Sequence, residues 1–65
     1  MTTKEYTNSE LLEHINEHVH SARNREIIKL KLIDGWTYGE LSEKFLLSER
    51  GIVKIVRGYI NKFHI

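Results

Sequence analysis

The sequence predicts an all-α domain of four helices, spanning residues 8–20, 24–34, 38–46 and 49–63. Apolar residues recur at intervals of three and four, as they do along one face of a helix, and no period-two alternation of useful length occurs. Proline is absent, so no predicted helix is interrupted by it. The 65 residues form one domain (1–65), near the lower size limit for folding on a single hydrophobic core.

The first helix is predicted from the run Tyr6-Thr7-Asn8-Ser9-Glu10-Leu11, which has the pattern of a capping box flanked by a hydrophobic staple. Residues 1–7 are expected to be frayed, and residues 8–20 to brace the rest of the domain. The apolar stripe of this helix consists of Leu11, Leu12, Ile15, Val19 and Ala22. Its outer face carries Glu10, Glu13 and Glu17. This acidic face would repel a phosphate backbone, so we expect it to point away from nucleic acid.

The second helix is expected to begin at Ser21 or Asn24 and to stop at Asp34-Gly35, where glycine suits the left-handed conformation that often ends a helix. Its apolar side chains point in nearly all directions around the axis. They are Ile27, Ile28, Leu30, Leu32 and Ile33. This distribution predicts a helix that is contacted on several sides and forms the central strut of the core.

Two capped helix starts follow in close succession. Thr37 and Glu40 form a second predicted capping box, and Ser48 is the expected N-cap of the last helix. Only residues 45–47 turn the chain between these two helices. Two capped helices joined by so short a corner predict a helix-turn-helix, which makes residues 24–63 a tri-helical unit.

The last helix is predicted to have two contrasting faces. Its apolar face consists of Ile52, Ile55, Val56, Tyr59, Ile60 and Phe63. The opposite face carries Arg50, Lys54, Arg57 and Asn61, at spacings of four, three and four residues. Such a row of long donors suits phosphate oxygens and the acceptor edge of guanine in a major groove. The alternative is a solvated surface stripe, and the capped corner before the helix favours nucleic acid.

Four other residues of this helix have two interpretations each. Glu49 either accepts a hydrogen bond from a cytosine amino group or favours the helix dipole, and we favour the dipole. Val53 borders the basic row, where it could contact a thymine methyl group. Gly51 either permits close approach to base edges or is simply tolerated in the first turn. Gly58, which costs up to about 1 kcal/mol inside a helix, either packs tightly against a neighbouring helix or meets a second subunit.

Residues 38–57 resemble the twenty-residue helix-turn-helix signature of bacterial transcription regulators. The positions that the signature keeps apolar are Leu41, Phe45, Leu47, Ile52 and Ile55, and its small residue is Ser42. The longer run 25–62 contains Arg-Glu-Ile at 25–27, Gly-x-Thr-x-x-Glu-Leu at 35–41 and Ser-Glu-Arg at 48–50. With these motifs it resembles the region-four domain of sigma factors and the LuxR-type and Mor-type helix-turn-helix domains. The signature usually has glycine at the corner, where this chain has Leu46. Either Leu46 adopts a left-handed conformation or the turn is built differently.

The resemblance implies a sequence-specific transcription regulator of bacterial or phage origin, whose helix from Ser48 lies in the major groove of double-stranded DNA. It also implies RNA polymerase as a further partner, and a backbone phosphate against Thr37 and Tyr38 at the start of the preceding helix. The predicted DNA-binding residues are therefore Thr37, Tyr38, Ser48, Glu49, Arg50, Gly51, Val53, Lys54, Arg57 and Asn61. Trp36 is expected in the core or the staple rather than stacked on a base.

The charge of the chain is segregated. Residues 1–22 contain one lysine and four glutamates, a balance of −3, whereas residues 23–65 contain nine Lys and Arg and five acids, a balance of +4. A positive half is typical of a module that approaches phosphate. One copy this weakly cationic would bind DNA poorly, so we expect a homodimer on a two-fold site. The expected dimer surface is either the first helix or the last-helix end near Tyr59, Ile60 and Phe63.

Composition argues against several other classes of protein. No cysteine is present, so neither a disulfide nor a thiolate metal site is expected. No apolar run is long enough to span a membrane and no signal-peptide pattern begins the chain, so we expect a cytoplasmic protein. His14 and His18 have a spacing found in metal sites, with His20 near by, and the candidates for a third ligand close in sequence are Glu13 and Glu17. We expect a polar helix face instead, or a mild pH sensitivity from the same histidines. We expect no cofactor and no enzymatic activity.

The alternative function is a protein-interaction module that binds RNA polymerase or another regulator through its acidic first helix, without binding DNA.

Overall fold

The computed structural model describes residues 7–63 and confirms the predicted all-α class. These residues form four helices and no strand: α1 (Asn8–His18), α2 (Ala22–Leu32), α3 (Tyr38–Phe45) and α4 (Glu49–Phe63). Residues 1–6 of the terminus that was predicted to be frayed lie outside the described residues. Thr7, the last residue of that predicted segment, is the N-cap of α1.

Both predicted capping boxes are present with the same geometry. At α1, the Glu10 N–H donates to Thr7 Oγ1 at 3.1 Å, and the Thr7 N–H donates to Glu10 Oε1 at 2.9 Å. At α3, Glu40 and Thr37 exchange the same two hydrogen bonds at the same distances. Each box satisfies two backbone N–H groups that have no partner within the helix, and a cap of this kind contributes about 1 kcal/mol. The aromatic residue of the first predicted staple, Tyr6, lies outside the described residues.

α1 ends two residues before the predicted limit of 20. Val19 is extended, with φ −111° and ψ 114°, and its N–H donates to the Ile15 carbonyl as the last bond of the helix. The guanidinium of Arg25 supplies the reason for this early end. Its Nη1 donates to the Val19 carbonyl at 2.9 Å and to the His20 carbonyl at 3.2 Å, so these carbonyls are satisfied outside a helix.

α2 spans 22–32 rather than the predicted 24–34. Of the two candidate starts, Ser21 is the N-cap, because its hydroxyl accepts the Asn24 N–H at 3.3 Å. The helix ends two residues earlier than expected. Ile33 is its C-cap, and Asp34 then leads to Gly35, which has a φ of +78°. This glycine brings the Trp36 N–H back to the Leu30 carbonyl at 3.0 Å.

The core consists of two clusters that share α2. The first cluster contains Ile27, Leu30, Leu41, Ile52 and Val56, and the second contains Ile15, Ile28 and Tyr59. Adjacent residues of α2, Ile27 and Ile28, belong to different clusters, which confirms its predicted role as the central strut. The predicted apolar stripe of α1 is narrower than expected, because Leu12 is 37 % exposed and Ala22 belongs to α2 and is exposed.

The corner between α3 and α4 has a left-handed residue. Leu46 has φ 56° and ψ 42°, so of the two alternatives the chain places a leucine in the conformation that usually favours glycine. α3 therefore ends at Phe45, one residue short of the predicted limit. Ser42 stabilises the corner, because its carbonyl accepts the N–H groups of Leu46 and Leu47 and its hydroxyl donates to the Leu47 carbonyl.

Candidate nucleic-acid interface

α4 has the two faces that its sequence predicts. On the inner face, Ile52 and Val56 are fully buried and Tyr59 is 5 % exposed. The remaining inner residues are half-buried: Ile55, Ile60 and Phe63. The outer face carries an exposed row that we call the cation row, which consists of Arg50, Lys54, Arg57 and the neutral donor Asn61. Packing of the inner face on α2 and α3 therefore fixes which side of α4 faces solvent.

The charges of the cation row are not neutralised within the described part of the chain. Among residues 7–63 the ion pairs are Lys29 with Asp34, at 3.6 Å, and His18 with Glu17, at 3.9 Å. Neither pair involves the cation row. At 1.5 Å per residue, the row extends about 16 Å along the helix from its first to its last member. Its donors are therefore hydrated and aligned, as binding to a row of phosphates requires.

The first turn of α4 is tightly capped. The Ser48 hydroxyl accepts the Gly51 N–H at 3.1 Å, and the Ser48 carbonyl accepts the Ile52 N–H at 3.1 Å. A Cβ at Gly51 would lie 3.3 Å from the Ser48 hydroxyl oxygen, which is closer than most such contacts. Glycine therefore also keeps this cap compact, a role that neither sequence-based interpretation of Gly51 included.

Glu49 lies beside the start of α3 rather than in line with the cation row. A Cβ at Gly39 would lie 3.5 Å from Glu49 Oε2. The Thr37 N–H at the same helix start already donates to Glu40. The carboxylates of Glu40 and Glu49 thus occupy the region where a phosphate was expected against Thr37 and Tyr38. Their negative charge disfavours a further anion there. The cation row is the better candidate for phosphate contact.

The aromatic residues near the corner are covered by lysines and by the core. Tyr38 is half-buried, and the Lys31 Nζ lies 4.3 Å from the centre of its ring. Lys44 Nζ lies 5.9 Å from the Trp36 ring and 5.7 Å from the Phe45 ring. Trp36 packs against the first cluster, which confirms its predicted place in the core. These contacts are within the range of cation–π attraction.

The expected dimer surface at the end of α4 needs correction. Tyr59 is 5 % exposed and packs with Ile15 and Ile28 in the second cluster, so it cannot be part of an exposed patch. Ile60 and Phe63 pack against the same cluster and are half-buried. Packing against α1 and α2 thus buries Tyr59 and partly covers Ile60 and Phe63, which sequence analysis had assigned to a possible interface.

The histidines of α1 belong to an aromatic cluster that the sequence did not predict. His14 Nδ1 lies 2.6 Å from the Tyr59 hydroxyl, and the His14 and His18 rings lie 4.3 Å apart. The centre of the Phe63 ring is 4.8 Å from both imidazoles. Burial and the neighbouring His18 lower the pKa of His14, against an opposing effect of Glu17. No group of three His, Cys, Asp or Glu side chains within residues 7–63 is arranged to hold a metal ion.

Two structural contributors were not identified from the sequence. Arg25 holds the loop between α1 and α2 through two carbonyls, and Ser42 holds the corner before α4. Arg25 therefore has a structural role inside the fold. No local pattern marks either role, because each depends on a carbonyl that is five or six residues away in a non-helical segment.

No protein-family model, curated protein or solved structure gives a significant match to this chain. Within residues 7–63, no helix has the length and apolar character needed to cross a membrane.

Proposed function

We propose that this chain is a sequence-specific, DNA-binding transcription regulator of bacterial or phage origin, with α4 lying in the major groove of double-stranded DNA. The cation row carries this proposal, because it is exposed and forms no ion pair with the other described residues, on a helix whose opposite face forms the core. A helix anchored in this way presents its donors without a cost for ordering the backbone. The resemblance to bacterial helix-turn-helix regulators adds support.

The dimensions of α4 suit this mode of binding. Its 15 residues form a helix about 22 Å long, and the major groove is wide enough to admit one α-helix. Arg50 and Lys54 lie near its N-terminal end, where a recognition helix contacts base edges. Arg57 and Asn61 lie one to three turns further on, where they would contact the flanking backbone. Val53 is half-buried at the border of the row and is placed for an apolar base contact.

Binding as a homodimer follows from the small number of cations. Each chain offers three positive charges in the row, and neutralising so few phosphates gives weak binding at physiological salt. Two copies on a two-fold site double this number.

RNA polymerase is a further proposed partner, in the cytoplasm where transcription occurs.

A protein-interaction module remains the second candidate, and one observation favours it. Leu46 is 89 % exposed at the corner, where an apolar side chain gains nothing from the fold. The outer face of α1 is also acidic and exposed, with Glu10, Glu13 and Glu17. A protein partner could contact either feature without any role for the cation row.

Fluorescence anisotropy with a duplex of random sequence, at two salt concentrations, tests the DNA-binding proposal. Lys54→Gln should weaken binding about tenfold at low salt and reduce the slope of log K against log salt by about one. The matched control is Lys62→Gln, which removes the same charge from the same helix. Lys62 lies about 120° around the axis from Arg50, outside the cation row, and its replacement should have a much smaller effect.

The double charge reversal Arg50→Glu, Lys54→Glu should abolish binding. Equal losses from Lys54→Gln and Lys62→Gln would show that only total charge matters and that α4 is not oriented as proposed. An absence of binding by the unaltered chain at low salt would overturn the proposal and favour the protein-interaction module. Once binding is shown, selection from a random duplex library would identify the operator.

A further inference from the structure

An open groove of about 240 Å³ lies between the loop that joins α1 to α2 and the C-terminal half of α4. Its apolar lining includes the half-buried Ile55 and Phe63, together with Ile28 and Tyr59, which are almost fully buried. The polar lining includes His18, His20 and Lys62. The groove therefore combines an apolar, partly aromatic surface with basic side chains.

Gly58 leaves the groove open on the side of α4. It is exposed, and a Cβ at this position would meet no atom of the described residues within 4 Å. The expectation that Gly58 packs tightly against a neighbouring helix of the same domain is therefore wrong. A glycine in mid-helix is unfavourable relative to alanine. Its absent side chain benefits no contact among residues 7–63, and a larger side chain there has open space in which to extend over the groove that Gly58 lines.

The charge of the groove lining has one sign. Among the described residues, no aspartate or glutamate lines it, whereas the basic residue Lys62 does, with its Nζ 5.5 Å from the centre of the Phe63 ring. Near His18 the attraction for an anion is weaker, because the Glu17 carboxylate oxygen Oε1 is 3.9 Å from His18 Nε2. An anion is therefore most favoured near Lys62, directly beside the aromatic surface.

The groove is separate from the cation row. Its α4 residues Ile55, Gly58 and Lys62 lie on one flank of the helix, centred about 100° around the axis from the centre of the cation row. A ligand in the groove would leave the cation row accessible. Ligand binding in the groove is therefore independent of DNA binding by α4.

We propose that this groove binds a small amphipathic anion: a monocarboxylate with an aromatic or branched aliphatic body. The body would pack on the half-buried side chains of Ile55 and Phe63, and the carboxylate would lie toward Lys62. The size of the groove favours a small ligand, since sites for drug-sized ligands usually occupy about 300–1,000 Å³.

Titration of the full-length chain with 3-phenylpropionate, followed by ¹⁵N–¹H NMR, tests this proposal. Saturable shifts are expected at Gly58, Lys62 and the loop around His20, with smaller changes at Lys54. The neutral analogue 3-phenylpropan-1-ol has the same body without the charge, and it should bind about threefold to tenfold more weakly. Lys62→Gln should abolish this preference, whereas Lys44→Gln, which removes an equal charge from α3, should preserve it.

Gly58→Leu should fill the groove and eliminate the saturable shifts. Gly58→Ala is its control, because it raises helix propensity in the same way but occupies little of the groove. Circular dichroism establishes that both variants are folded. If Lys62→Gln leaves the preference for the carboxylate unchanged, the assigned anion position is wrong. The absence of saturable shifts with 3-phenylpropionate overturns the proposal. So would shifts of the groove signals on dilution of the protein alone, because a second copy would then occupy the groove.

Discussion

At the scale of single residues, His14 is placed where its protonation affects folding. Its imidazole lies between the Tyr59 hydroxyl, the His18 ring and the Phe63 ring. Burial and the charge of His18 lower its pKa below the ordinary value of 6.5, while Glu17 opposes this shift. The folded chain therefore releases this proton more readily than the unfolded chain does.

This difference predicts a pH dependence of stability. The unfolded state binds more protons at His14, so its contribution makes the free energy of unfolding increase with pH. The contribution of His14 to the free energy of unfolding is complete above pH 6.5. It is lost as the pH falls through that value toward the lower pKa of the folded state. Urea unfolding between about pH 7.5 and about pH 5.5 should show this loss.

His14→Gln should reduce the pH dependence in the same range, because the amide does not titrate and can still bond to the Tyr59 hydroxyl. His20→Gln, a change at an exposed histidine of the loop, should leave the contribution of His14 in place. If the His14→Gln variant retained the full pH dependence, other groups would have to be its source. The sequence indicated that these histidines could confer pH sensitivity, but not its direction, which depends on packing against residues as distant in sequence as Tyr59, 45 positions from His14.

At the scale of elements, the corner between α3 and α4 is held in a conformation that leucine disfavours. Leu46 has a φ of 56° and is 89 % exposed, so its side chain contributes almost no burial in return. A left-handed residue other than glycine costs on the order of 1 kcal/mol. Two hydrogen bonds between Ser42 and Leu47 nevertheless fix the turn: the Ser42 hydroxyl donates to the Leu47 carbonyl, and the Leu47 N–H donates to the Ser42 carbonyl.

Leu46→Gly should therefore increase the free energy of unfolding by up to about 1 kcal/mol, since strain is relieved and little contact is lost. Gly35→Ala is the converse change, and it should decrease the free energy of unfolding by about 1 kcal/mol. Gly35 has a φ of +78°, and a Cβ added there would meet no described atom within 4 Å, so only backbone conformation is altered. Thermal unfolding followed by circular dichroism measures both changes. A destabilised Leu46→Gly variant would mean that the exposed leucine makes a contact that outweighs the strain.

At the scale of the whole molecule, the two core clusters should unfold together. They share α2, which contributes Ile27 to one cluster and Ile28 to the other. So small a domain has little stability to divide between independent parts. α1 is therefore expected to be an integral part of the fold, although it packs mainly on α2.

The substitution Ile15→Val tests whether the two clusters unfold together. The fully buried Ile15 belongs to the second cluster, and removing one methylene should cost about 1 kcal/mol. Trp36, the single tryptophan, packs on the first cluster and reports on it by fluorescence. The fluorescence and circular dichroism transitions in urea should shift to the same lower midpoint. If only the circular dichroism transition shifted, α1 would be unfolding separately.

Much of the fold could be predicted from local sequence, and less of the candidate site. The two capping boxes, the start of α4 at Glu49 and the two faces of that helix depend on residues within a few positions of each other. The exposure of Arg50 and Lys54 follows from the same periodicity. Helix ends were less predictable, because bonds such as those from Arg25 to the loop carbonyls compete with the helix.

The sequence alone determined that the chain is helical, where α3 and α4 begin, and which side of α4 carries cations. These properties arise from side-chain period and from capping, both of which act over one or two helical turns. Tertiary structure decided that Tyr59 is buried, that Glu49 lies beside the start of α3, and that a groove lies open at Gly58. Each of these depends on surfaces that meet only when distant segments pack, so no local pattern encodes them.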